Sequence, residues 1–212
     1  LLPYLYTYAE VASRTGLPVV RPLVLEYQDD PNVHRLDTQF LLGEDLLVAP
    51  VFTESGTRSV YLPEGEGREL RTDEYYQGNR TVDIDVALDE MPIFVRAGSV
   101  IPQREPTQSV QPGTPDRLEL DVLLADGEAD GRFYDADADE LETISVERTN
   151  GTVAVDLDGA SSDRVRLEIR DGSTDDTSDP DDVVVDGASL EQVDADPDTG
   201  EWTTTPAGLT VV

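Results

Sequence analysis

TVDIDVAL, residues 81–88, sends Val82, Ile84 and Val86 to one side of an extended chain and Asp83 and Asp85 to the other. Alternation of this kind marks a strand buried on one face, because successive side chains of a strand leave it in opposite directions. The same device recurs in RLELDVLL (117–124), TVAVDLDG (152–159) and RVRLEIRDG (164–172). Turn signals divide these strands: PEGEG (63–67), QGN (77–79), RAGS (96–99), ADGEADG (125–131) and TNG (149–151). Short alternating strands between such turns predict antiparallel β-sandwiches from about Thr53 onward.

QREPTQSVQPGTPD (103–116) is rich in proline and poor in apolar surface, which predicts a linker or a long crossing between two β units. DGSTDDTSDPDD (171–182) has the composition of a solvated loop, and the strand-like VVVDG (183–187) resumes beyond it.

The first part of the chain has a different rhythm. LLPYLYTYAEVASRTG (1–16) carries Pro3 where a first helical turn tolerates it and Gly16 where a left-handed cap is wanted. Leu2, Leu5, Ala9 and Ala12 recur at spacings of three and four, predicting an amphipathic helix whose apolar face needs a partner. LPVVRPLVLEY (17–27) reads as a buried strand, with Pro22 confining regular pairing to the part after it. In LDTQFLLGEDLLVAPV (36–51), Asp37 or Thr38 is placed to cap a short helical turn ending at Gly43, and Leu46 to Val51 reads as a further strand. Helix, buried strand and short helix is the rhythm of the end of an α/β layer.

The chain holds 46 Asp plus Glu against 15 cations, for a formal net charge of −31, and every cation is arginine. The acids alternate with Val, Leu and Ile instead of replacing them, so the composition predicts a salt-adapted globular protein and not a disordered tail. Self-repulsion on this scale opposes a compact state when salt is dilute. No basic stripe exists to neutralise phosphates, which argues against nucleic acid and anionic membranes as partners. With no cysteine, disulfides and thiolate metal sites are excluded.

LLPYLYTYAEVASRTGLPVVRPLVLEY, DTQFLLGEDLLVAPV (37–51), VYLPEG (60–65) and MPIFVRAGSVIP (91–102), in that order, resemble the C-terminal portion of glycoside hydrolase family 31, the α-glucosidase and α-xylosidase family. More loosely, LELDVLLADGEADGRFYDADAD (118–139) resembles the family's distal-domain strand and residues 183–211 its final hairpins. EGRELRTDEYYQG (66–78) departs from the family, which carries a tryptophan and an aromatic strand there. The resemblance implies a mostly β chain: the end of a (β/α)8 barrel over residues 1–45, a proximal β-sandwich domain over 46–103 and a distal one over 104–212. Leu1 would then be a cut within a barrel helix.

Retaining glycosidases use two carboxyl groups about 5 to 5.5 Å apart, held in barrels at the C-terminal ends of strands. Glu26, Asp29 and Asp30 sit at such an end. The resemblance nonetheless implies that the catalytic aspartates lie on earlier strands, before Leu1, so these three are rim carboxylates and the fragment by itself is inactive. His34, the lone histidine, reads as a surface loop residue, and Arg21 as a structural partner of a carboxylate. Asp135, Asp137 and Asp139 have the alternate spacing of a calcium loop, but Glu140 and Val146 stand where that loop needs Gly and Glu. Tyr4, Tyr6 and Tyr8 alternate by two and so do not line one helical face, while Tyr75, Tyr76 and Trp202 are scattered. Catalytic, binding and metal residues are therefore expected to be none in this chain, cofactors none, and the partner of the whole enzyme a carbohydrate. The competing reading is a non-catalytic β-sandwich module that binds carbohydrate or protein.

Overall fold

The computed structural model describes residues 1–53, 56–87, 89–109, 113–115, 117–157, 164–171, 180, 182–189, 191–192, 201–205 and 208–211. It is mostly β, and it divides into two compact units. The smaller comprises Val11–Ala97, and the larger Leu1–Glu10 with Gly98–Val212.

Helix α1 (Leu2–Thr15) carries Pro3 in its first turn and is followed by Gly16, whose φ of +79° and N–H bond to Ala12 O form the anticipated left-handed cap. Its buried face differs from the expected one. Tyr4, Thr7, Tyr8 and Val11 are buried, whereas Leu2 stays 41% exposed and Ala9 is exposed. The tyrosine rings bury more apolar area than the alanines could, so the stripe is rotated toward them.

In the smaller unit, β1 (Val20–Arg21) pairs antiparallel with β2 (Phe40–Leu42), and β2 with β3 (Leu46–Val48). Two expectations fail here. Pairing precedes Pro22 instead of following it, because Leu23–Leu25 closes a 3-10 turn with Leu25 N–H donating to Pro22 O. The segment leading to Gly43 is strand, not a helical turn; Gly43, at φ +66°, turns the β2–β3 hairpin. Strands β4 (Thr57–Leu62), β5 (Glu66–Glu69), β6 (Tyr75–Gln77), β7 (Arg80–Asp85) and β8 (Ile93–Arg96) follow. The sheet order is β1-β2-β3-β8-β5-β6, with β4 and β7 forming a separate antiparallel pair. Ile84 is buried and Asp83 and Asp85 exposed, as the period of two requires. Leu23, Leu41, Leu47, Val60, Leu62, Ile84 and Phe94 meet in one core. Gly78 fits only as glycine, since a Cβ there would lie 1.8 Å from Pro63 O.

The larger unit contains β9 (Ser99–Gln103), β10 (Arg117–Leu124), β11 (Glu128–Asp135), β12 (Glu140–Thr149), β13 (Thr152–Asp156), β14 (Arg164–Asp171), β15 (Asp182–Val185), β16 (Ala188–Ser189), β17 (Glu191–Gln192), β18 (Glu201–Thr205) and β19 (Gly208–Val211). They form one sheet in the order β16-β15-β13-β12-β11-β9-β10-β14-β19-β18-β17. Leu118, Leu120, Val122, Phe133, Ile144, Val146, Val153, Val155, Leu167 and Ile169 gather into a single core, so strands far apart in the sheet order face one another. Asp126-Gly127, Asn150-Gly151 and Asp186-Gly187 all have positive φ, the backbone of tight two-residue turns whose twist matches the strands they join.

Antiparallel pairing, expected throughout, is not uniform: β10–β14, β9–β11, β13–β15 and β17–β18 pair in parallel. The proline-rich stretch joins β9 to β10, which are antiparallel neighbours in this same sheet, so it is a connection within one β unit. Residues 172–179 and 181 of the anticipated acidic loop lie outside the described residues.

Candidate functional site

Arg21 is 1% exposed. Its Nε donates to Pro18 O at 2.8 Å, and one terminal nitrogen reaches Glu26 Oε1 at 2.6 Å and Glu44 Oε1 at 3.2 Å. Glu26 is thus tied into a structural ion triad, which joins the Leu23–Leu25 turn to the β2–β3 hairpin and supplies no free acid. Asp30 accepts the Tyr61 hydroxyl at 2.5 Å and both nitrogens of Asn32 at 2.9 Å. The Tyr61 bond, with those from Asn32, holds the Asp30 carboxyl below its ordinary range. Asp29 is exposed. His34 is exposed as expected, and its Nε2 lies 2.9 Å from Gln28 O; a carbonyl only accepts, so Nε2 carries the proton there. The stretch 26–34 is therefore a loop held by bonds within itself and by Arg21 and Tyr61.

A small cavity of about 40 Å³ in the same unit is bordered by Tyr27, Asp45 and Arg96. Arg96 reaches Asp45 Oδ1 at 3.0 Å, and burial pushes the Tyr27 phenol up while the neighbouring Arg96 pulls it down in part. The space suits about one water molecule and no sugar ring.

In the larger unit the three alternate aspartates separate. Asp135 is fully buried; its Oδ1 accepts the Thr114 hydroxyl and the N–H groups of Asp137 (2.8 Å) and Ala138 (3.1 Å). Asp137 accepts from Thr114 N–H at 3.0 Å, and Asp139 from the Tyr134 hydroxyl at 2.7 Å. They shape the β11–β12 turn instead of converging on an ion. Among the described residues no group of three or more His, Cys, Asp or Glu is placed to hold a metal.

The aromatic residues also divide. Tyr4 and Tyr8 pack together, ring centroids 4.7 Å apart, on the buried face of α1. Tyr6 points away from them, 53% exposed, with its ring 5.3 Å from that of Tyr134 at 70°. Tyr76 stands edge-on to Phe94 at 5.6 Å, and burial with its bond to Glu74 pushes its hydroxyl up to about 12. Tyr75 is 45% exposed, and the side chain of Trp202 lies outside the described residues.

Three carboxylates with no arginine partner among the described residues accept from hydroxyls: Asp83 from Ser59 (2.5 Å), Asp85 from Thr57 (2.9 Å) and Glu147 from Thr149 (2.7 Å). These bonds persist where concentrated salt screens ion pairs. No helix among the described residues is long and apolar enough to cross a membrane. Sequence reasoning gave no hint that Tyr6, Arg104 and Tyr134 border one cleft, because no short-range pattern links them.

Comparison with known proteins places this geometry in context. The chain is 33% identical over 170 residues to an α-xylosidase of Lactiplantibacillus pentosus, covering 77% of this chain and 22% of that one. It is 36% identical over 148 residues to α-glucosidase 2 of Bacillus thermoamyloliquefaciens, covering 69% of this chain and 18% of that one. The structure superposes on the cycloalternan-forming enzyme of Listeria monocytogenes, solved with a pentasaccharide substrate, with a TM-score of 0.84 and 29% identity over 99% of this chain and 21% of that one. The chain thus spans about a fifth of the length of these relatives. Residues 16–101 match the profile of the glycosyl hydrolase family 31 C-terminal domain.

Proposed function

We propose that this chain is the C-terminal part of a family 31 glycoside hydrolase adapted to concentrated salt, whose whole form hydrolyses terminal α-linked glucose or xylose with retention. The single observation that carries this reading is the 16–101 match, reinforced by likeness over 99% of the chain to the cycloalternan-forming enzyme. Within this reading, residues 1–45 close a (β/α)8 barrel, the β-sandwich that follows is the proximal domain, and the distal one begins at Gly98, where the larger unit resumes, and not after Gln103. The carboxyl pair of the retaining reaction belongs to the part of the relatives that this chain does not span. The carboxylates at 26–30 support that division, since Glu26 is held by Arg21 and Asp30 by Tyr61. The role of this chain is then to complete and support the barrel wall, with the carbohydrate as partner and neither nucleic acid nor membrane engaged.

Salt adaptation is supported by the charge of −31, by arginine as the sole cation, and by hydroxyl donors on Asp83, Asp85 and Glu147. The test is release of the aryl group from aryl α-glucoside and α-xyloside by the 212-residue chain in molar salt. No turnover is expected. Robust turnover would place the reactive carboxylates inside this chain and overturn the division.

A further inference from the structure

We propose that the cleft between the first turns of α1 and the β11–β12 turn is a binding subsite for a neutral pyranose unit. The cleft encloses about 200 Å³ and is bordered by Leu2, Pro3, Tyr6, Arg104, Thr114 and Tyr134, all in the larger unit. Three observations select its occupant. The first is the paired rings of Tyr6 and Tyr134, set edge to face at 5.3 Å with Tyr6 53% exposed, which offer π surface to the C–H face of a sugar.

The second is Arg104. It is half-buried at the cleft wall and makes no ion pair among the described residues, in a chain with three acids for every arginine. A purely apolar occupant would desolvate this guanidinium without giving it an acceptor, which is unfavourable. Sugar hydroxyls give it several. They also find acceptors, because the Tyr134 oxygen uses its proton on Asp139 and keeps a lone pair to receive one, and the Thr114 oxygen gives its proton to Asp135 and receives only the long Asp137 N–H bond at 3.4 Å.

The third is charge. Asp135, Asp137 and Asp139 occupy the adjoining turn and the chain as a whole carries −31, so one arginine does not make the site attractive to an anion. A neutral, polyhydroxylated ring satisfies all three conditions. The inference rests on the cleft alone and not on the family reading.

The test is titration of the isotope-labelled 212-residue chain in molar salt with isomaltotriose, with glucuronate and with benzyl alcohol, followed by amide and arginine side-chain chemical shifts. Isomaltotriose is expected to bind with a Kd of about 1 mM and to move the signals of Tyr6, Arg104, Thr114 and Tyr134. Tyr6→Ala and Arg104→Gln are each expected to weaken it about tenfold. Both positions lie at the cleft surface, and unchanged signals elsewhere verify that each variant is folded. Absence of saturable shifts, shifts confined to other surfaces, tighter binding of glucuronate, or binding of benzyl alcohol alone would each overturn the proposal. None of these results bears on hydrolysis by the longer enzyme.

Discussion

Replacing Asp135 by asparagine removes one charge at the β11–β12 turn and sets an NH2 where the buried Oδ2 stands without a hydrogen bond among the described residues. The carboxylate is fully buried and its Oδ1 collects the Thr114 hydroxyl and the N–H groups of Asp137 and Ala138. Burial opposes its ionisation, but the bonds from Thr114, Ala138 and Asp137 outweigh that and hold its pKa below 3.8. A bond to a charged acceptor contributes roughly 1 kcal/mol more than one to a neutral amide, so three lose about 3 kcal/mol, and relief of the buried charge returns part, leaving about 2 kcal/mol. For a chain of this size that lowers the thermal midpoint by roughly 4–8 °C. Because the folded pKa lies below the unfolded one, the charge stabilises above pH 3.8 and its contribution disappears as pH falls through the folded value. Circular dichroism melts in molar salt are the assay. The gap between wild type and Asp135→Asn should be full at neutral pH and shrink in acid; a gap that is constant or widening from neutral to acid pH would refute the reasoning.

Other perturbations have equally definite outcomes. Gly78→Ala drives a Cβ into Pro63 O and Gly65 O and should destabilise by about 3 kcal/mol in urea unfolding. Arg21→Met takes the guanidinium from Glu26 and Glu44; both keep some solvent, at 31% and 26% exposure, so the loss should be about 3 kcal/mol, the low end for a broken buried pair, as a lower urea midpoint. Raising salt from about 0.1 M to 1 M shortens the Debye length from about 10 Å to 3 Å and should raise the thermal midpoint steadily. A midpoint insensitive to salt would remove the self-repulsion on which the salt-adapted reading depends.

The residues that could be read from sequence are those whose signal is local. Val82 and Ile84 against Asp83, or Val153 and Val155 against Ala154, specify strand and face together, and the structure keeps both. Asp-Gly and Asn-Gly mark tight turns because few other residues tolerate positive φ. Direction of pairing is different: a period of two is the same in parallel and antiparallel ladders, so the β10–β14 and β13–β15 pairs could not be seen. Pro22 misled because its missing N–H can end a ladder as well as precede one, and only the Leu25-to-Pro22 bond shows which. On α1, ranking Leu and Ala above Tyr chose the wrong face. The Tyr6–Tyr134 pairing joins residues far apart in sequence and has no local signature at all.

The most direct measurement concerns the product of the same reading frame extended upstream of Leu1, set against the 212-residue chain on an aryl α-glucoside and followed by NMR of the released sugar. The account predicts that only the extended protein turns over and that the sugar first appears as the α-anomer. A β-anomer first, or equal turnover by the 212 residues alone, would contradict it.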